Sequence, residues 1–100
     1  MQEVDLSHFS AAHEAGALVV DVREPQEYAR GHVPGSLLIP MGHVPTRVTE
    51  LPTDKPVYVI CASGARSLTA AAHMAAVGLD ARSVAGGVVA WARAGRPLER

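Results

Sequence analysis

Val57-Tyr58-Val59-Ile60-Cys61-Ala62-Ser63-Gly64-Ala65-Arg66-Ser67 sets an unbroken run of strand-forming residues against the only cysteine of the chain, then a turn, then the start of an alanine-rich stretch. An apolar run with no polar residue in it has the pattern of a strand buried on both faces, as in a parallel sheet. Behind it, Ser67 to Val77 reads as a helix, with Leu68, Ala71, Ala72 and Ala75 on an i, i+3, i+4, i+7 stripe and Gly78 as its stop. A strand, a tight turn and a helix therefore meet at Cys61. Such a junction aims turn amides and the positive end of a helix dipole at one thiol, which favours the thiolate.

Outward from this stretch, Leu18-Val19-Val20-Asp21-Val22 repeats the buried-strand pattern, with charge beginning at its C-terminal end. Val4-Asp5-Leu6 reads as a short edge strand, and Ser7 as the cap of a helix carrying Phe9, Ala11, Ala12 and Ala15 and stopped by Gly16. Glu24-Pro25-Gln26-Glu27-Tyr28 opens a short helix ending at Gly31, and His32-Val33-Pro34-Gly35 is the next turn. Ser36 to Ile39 reads as a strand closed by Pro40. Met41 to Pro45 is turn-like, Thr46 to Leu51 makes one or two helical turns, and Pro52 to Pro56 is an exposed connection. Ala81 to Ala85 is a last short strand, which Gly86-Gly87 turns into a helix carrying Val88, Val89 and Trp91 until Gly95-Arg96-Pro97 stops it.

Strands alternating with helices predict an α/β fold: a mostly parallel central sheet, right-handed crossovers and helices on both faces. In such a sheet the loops that follow strands share one edge, where ligands bind. Asp21-Val22-Arg23, Pro40 to His43, the cysteine loop and Gly86-Gly87 are expected to converge there, and the turn at His32, which precedes a strand, to lie at the opposite edge. With 100 residues, 48% hydrophobic and 19% charged, the chain is expected to be a single domain over 1–100. A net charge of -1 and a single lysine, Lys55, leave no basic block for DNA or RNA. No run approaches membrane-spanning length and Met1 to Ser10 lacks a signal-peptide layout, so a cytoplasmic location is expected. One cysteine cannot form an internal disulfide, and the histidines at 8, 13, 32, 43 and 73 show no ligand spacing with it, so no metal is expected.

Asp21-Val22-Arg23, Glu27-Tyr28, Gly31-His32-Val33-Pro34-Gly35-Ser36, the loop Cys61 to Arg66, and Gly86-Gly87 with Trp91 beyond it together resemble the single-domain rhodanese-like sulfurtransferases. The match runs from about Val4 to Pro97. The resemblance implies a rhodanese fold, a cysteine that carries a persulfide, and ping-pong transfer of sulfane sulfur from a donor such as thiosulfate to cyanide or a thiol, including a protein thiol. It implies no cofactor. Two positions depart from many relatives: Ala62 stands where a basic or polar residue often follows the cysteine, and Ala65 where asparagine often precedes the arginine. The first removes a donor to an anionic substrate.

The residues fit that chemistry. The nucleophile must be thiolate at neutral pH, and amide donors with a helix N-terminus lower a thiol pKa without a histidine base. Gly64 lets the loop bend around the sulfur, with φ > 0 expected. Ser63 and Ser67 offer hydroxyl donors, and Arg66 offers a guanidinium suited to the oxygens of an anionic donor. Asp21 and Arg23 are expected to shape the edge by hydrogen bonding, because a carboxylate beside a thiolate opposes ionisation. Gly86 and Gly87 are expected to allow close backbone approach to the cysteine loop, Tyr28 and Trp91 to pack in the core, and His32 to make a structural hydrogen bond. Two other readings share the cysteine: a partner-dependent persulfide carrier or binding module, and a cysteine-dependent phosphatase or arsenate reductase. The latter close on arginine after a loop one residue longer, with room for a tetrahedral oxyanion, whereas the four residues Ala62 to Ala65 suit a single sulfur.

Overall fold

In the computed structural model, which describes residues 1–100, five strands form one sheet. They are β1 (Gln2–Val4), β2 (Leu18–Asp21), β3 (Leu37–Leu38), β4 (Val57–Ile60) and β5 (Ala81–Val84), in the order β1-β5-β4-β2-β3 with every pairing parallel. The helices are α1 (Leu6–Glu14), α2 (Pro25–Arg30), α3 (Val44–Arg47), α4 (Ala65–Ala76) and α5 (Gly87–Arg93).

The central strand explains the two-layer core. On β4, Val57 and Val59 face one side and pack with Val20, Val22, Ala81 and the α4 residues Ala70, Ala71 and Met74. Tyr58 and Ile60 face the other, against Phe9 of α1 and Val88 and Trp91 of α5. This is the two-residue period of a strand buried on both faces, and it requires helices above and below the sheet. No helix is long and apolar enough to cross a membrane.

Several local expectations shift. The cap of α1 is Asp5, whose carboxylate accepts from the His8 amide at 2.8 Å, and the first strand precedes it rather than including it. Aspartate caps as well as serine, and this choice adds two residues to the helix. Helical structure begins at Met41 instead of Thr46: two 3-10 turns flank α3, and Pro45 sits in its first turn, where a missing N–H costs nothing. Helix α4 starts at Ala65, and its buried residues are Ser67, Ala70, Ala71 and Met74 rather than the stripe through Leu68 and Ala72. An alanine-rich segment has little hydrophobic contrast to fix its rotation, and Ser67 is drawn inward by the cysteine. Trp91 is in the core, but Tyr28 is only half-buried: its ring stacks on His32 at 3.6 Å and its hydroxyl donates to the Ser36 carbonyl.

Candidate active site

Cys61 is the first residue beyond β4, and its side chain ends inside the turn that leads into α4. Its residue exposure is 1%. The Gly64 and Ser67 amides donate to Sγ at 3.1 and 3.3 Å, and the Ser67 hydroxyl lies 3.5 Å away. Burial pushes the Cys61 pKa up, but the Ser67 hydroxyl and the amides of Ser67, Gly64 and Ser63 outweigh it and hold the thiol below the usual cysteine value. Gly64, the N-cap of the twelve-residue α4, adopts φ +109°, and a Cβ there would come within 3.3 Å of the Gly86 nitrogen. The geometry sets a buried thiol among backbone and hydroxyl donors that favour its ionised form.

Gly86 and Gly87 brace this loop from the end of β5. The Val88 amide donates to the Cys61 carbonyl and the Val89 amide to the Ala62 carbonyl, each at 2.9 Å. Gly87, at φ +55°, lies so close that a Cβ would collide with both carbonyl oxygens.

Asp21 and Arg23 meet the same edge because Asp21 pairs in register with Ile60. Both are buried, and Arg23 Nη2 donates to Asp21 Oδ2 at 2.8 Å and to the Gly31 carbonyl at 2.9 Å. The Asp21 carboxylate also accepts from the Arg23 amide and Nε, at 3.0 Å each. The pair is a brace, as its residue types suggest. Because α2 has only six residues, Gly31 at its C-terminal end stays within reach of the long Arg23 side chain. His32 itself bonds the Tyr28 carbonyl through Nδ1 at 2.9 Å, and Pro34 reaches His13 at the C-terminal end of α1. Replacing Asp21 with Asn leaves a buried guanidinium without its counter-charge, and we expect a loss of about 3–5 kcal/mol in urea unfolding.

Two partners were given no contact or role from sequence, although Glu27 stands in one of the motifs. Glu27 of α2 takes both terminal nitrogens of Arg66, with Nη1–Oε1 2.7 Å and Nη2–Oε2 2.9 Å. The Arg66 side-chain hydrogen bonds hold the Glu27 pKa down at about 2, against the opposing effect of burial, so the carboxylate is ionised at neutral pH. Arg66 is therefore a partnered arginine, not a free cation at the helix start. The other partner is Ser83 of β5, fully buried, with its hydroxyl 2.8 Å from that of Ser67. The Ser67 hydroxyl also lies 3.1 Å from the Gly64 carbonyl. With Ser83 donating to Ser67, the single Ser67 proton has two acceptors within reach, the Gly64 carbonyl and, once the thiol is ionised, the Cys61 sulfur. A polar residue at an inward position of a strand, two places after the buried Ala81 and next to the buried Val84, is the sequence signal for Ser83. Ser67→Ala removes a donor to sulfur and orphans Ser83. The midpoint of a Cys61 alkylation rate profile should move to higher pH, and stability should fall by about 1–3 kcal/mol.

No group of three or more His, Cys, Asp or Glu side chains is arranged to hold a metal ion. The loop after β3 also reaches this edge, where the Met41 amide donates to the Val22 carbonyl at 3.1 Å. Thus loops following β2, β3, β4 and β5 meet around one buried thiol.

The sequence model of the rhodanese-like domain matches residues 6–94. The chain belongs to the rhodanese-like family. This rhodanese-like domain is 39% identical over 101 aligned residues to a sulfurtransferase of Allochromatium vinosum, covering 98% of this chain and 94% of that one. It is 38% identical over 82 residues to the thiosulfate sulfurtransferase GlpE of Pseudomonas syringae, covering 81% and 77% of the two chains. Among solved structures, a rhodanese-related protein from Thermoplasma volcanium superposes with a TM-score of 0.93 at 31% identity, covering 99% of this chain and 98% of that one.

Proposed function

We propose that this domain is a sulfurtransferase that carries sulfane sulfur as a Cys61 persulfide, taking it from a donor such as thiosulfate and passing it to cyanide or a thiol, including a protein thiol. The observation that carries this reading is the convergence of the Gly64 and Ser67 amides on Sγ within a loop of four residues between Cys61 and Arg66. Cys61 thiolate attacks the outer sulfur of thiosulfate. The S–S bond of the donor breaks, sulfite leaves with the electron pair, and Cys61–S–S⁻ remains. The new terminal sulfur is an anion that the loop amides can hold in turn. Cyanide then attacks that sulfur, forming thiocyanate and restoring the thiolate. No electron is gained or lost overall and no cofactor is needed.

Each loop residue has a part in this scheme. Ser63, Gly64 and Ser67 supply donors. Ala62 and Ala65 keep the loop small, and Gly86 and Gly87 keep it in place. Asp21 and Arg23 stiffen the neighbouring strand end. The setting is the cytoplasm, where a free thiol stays reduced. The phosphatase reading is disfavoured by the loop, which is short for a tetrahedral oxyanion.

The test is intact mass after incubation with thiosulfate, followed by cyanide. The expected result is the mass of one added sulfur atom, discharged by cyanide with stoichiometric thiocyanate. A chain that gains no sulfur from any sulfane donor would refute the proposal. Loading without turnover on small acceptors, relieved by a partner protein, would identify a carrier instead.

A further inference from the structure

The charge balance at the mouth of the site bears on which donor it accepts, given the sulfur-transfer reading above. Arg66 has 39% of its side chain exposed, yet both terminal nitrogens are bound to Glu27. Glu27 is itself fixed, since its Oε1 also accepts from the Glu24 amide at 3.1 Å in the capping box of α2. The other arginine at this edge, Arg23, is taken up by Asp21 and the Gly31 carbonyl. Ala62 adds no side-chain donor. Two guanidinium groups thus face two carboxylates, leaving neither arginine free to attract an anion.

We infer that Glu27 is a specificity-determining residue: by holding Arg66 it keeps the mouth neutral, and so selects the persulfide of a thiol, uncharged or singly charged, over the thiosulfate dianion. A dianion approaching a thiolate is repelled unless a free cation offsets it. An uncharged persulfide R–S–SH meets no such repulsion. Cys61 thiolate attacks its terminal sulfur, the donor S–S bond breaks, and R–S⁻ leaves with the electron pair, giving Cys61–S–SH. The proton then passes to R–S⁻, leaving Cys61–S–S⁻ in the amide cradle. Atoms and charge balance without an oxidant.

The experiment compares thiosulfate with the persulfide of 2-mercaptoethanol, which bears no charge beyond that of its own S–SH group, as donors for the wild type and Glu27→Gln. Glutamine retains the capping hydrogen bond but leaves the charge on Arg66 uncompensated. The ratio of kcat/KM for thiosulfate to that for the persulfide should rise about tenfold, mainly through the KM for thiosulfate, and the gain should shrink as salt is added. Ala62→Lys, which adds an uncompensated cation without touching Glu27, should move the ratio the same way. An unchanged ratio in both variants, or a parallel change for both donors, would overturn the inference while leaving sulfur transfer intact. No sulfur on wild-type Cys61 from either donor would overturn the transfer reading itself and this inference with it.

Discussion

Cys61→Ser is expected to remove sulfur loading altogether, with thiocyanate formation reduced by at least ~10³-fold. The hydroxyl of serine keeps the shape of the thiol and can accept from the Gly64 and Ser67 amides, but its proton is held far too tightly for those donors to release it at neutral pH. The fold should therefore survive: a melting curve close to that of the wild type, together with an intact mass unchanged by thiosulfate or the persulfide of 2-mercaptoethanol, is the expected pair of results. No other cysteine can substitute. Appreciable turnover by this variant would mean that the reaction does not pass through a cysteine persulfide.

A structural effect as large as that of Asp21→Asn is expected from Gly87→Ala. A Cβ at this position would occupy the space of the Cys61 and Ala62 carbonyl oxygens, which are backbone atoms with no rotamer to escape into, and φ +55° adds its own strain. The positive φ costs about 1–2 kcal/mol and the forced displacement of a packed loop about 1–3 kcal/mol more. Urea unfolding should show a loss of about 2–5 kcal/mol, with slower alkylation of Cys61 because the amides no longer converge on it. Gly35→Ala separates the two causes. Its φ of +79° is as restrictive, but nothing lies within 4 Å of the added Cβ, so only the smaller strain cost should appear. Equal losses at the two positions would remove the argument that Gly87 is needed for close approach.

The parts of the fold that were legible in sequence are those set by local pattern. Val57 to Ile60 is apolar on both sides of the chain, and that alone implies a central strand of a covered parallel sheet. Cys61 and Gly64 are separated by a turn that can form in only a few ways. What local pattern does not contain is partner choice. Nothing in the order of residues says that β1 lies beside β5, or that Glu27 will meet Arg66 across 39 positions, because charge complementarity is satisfied equally well by solvent or by other arginines. The resemblance drew in Glu27 as part of a motif without giving its contact. Ser83 escaped notice for a related reason. A serine in a short, weak strand reads as exposed until the helix above it is known to bury Ser67.

The strand order has a consequence for how the chain is made. β1 is hydrogen-bonded only to β5, with Gln2 opposite Arg82 and Val4 opposite Val84, so the first strand of the domain to be synthesised has no sheet partner until the last strand has been made. The β2–β4 pair can form earlier, but the Val88 and Val89 amides that grip the Cys61 and Ala62 carbonyls arrive later still. The loop that surrounds the Cys61 sulfur therefore gains its last braces only when the whole domain closes.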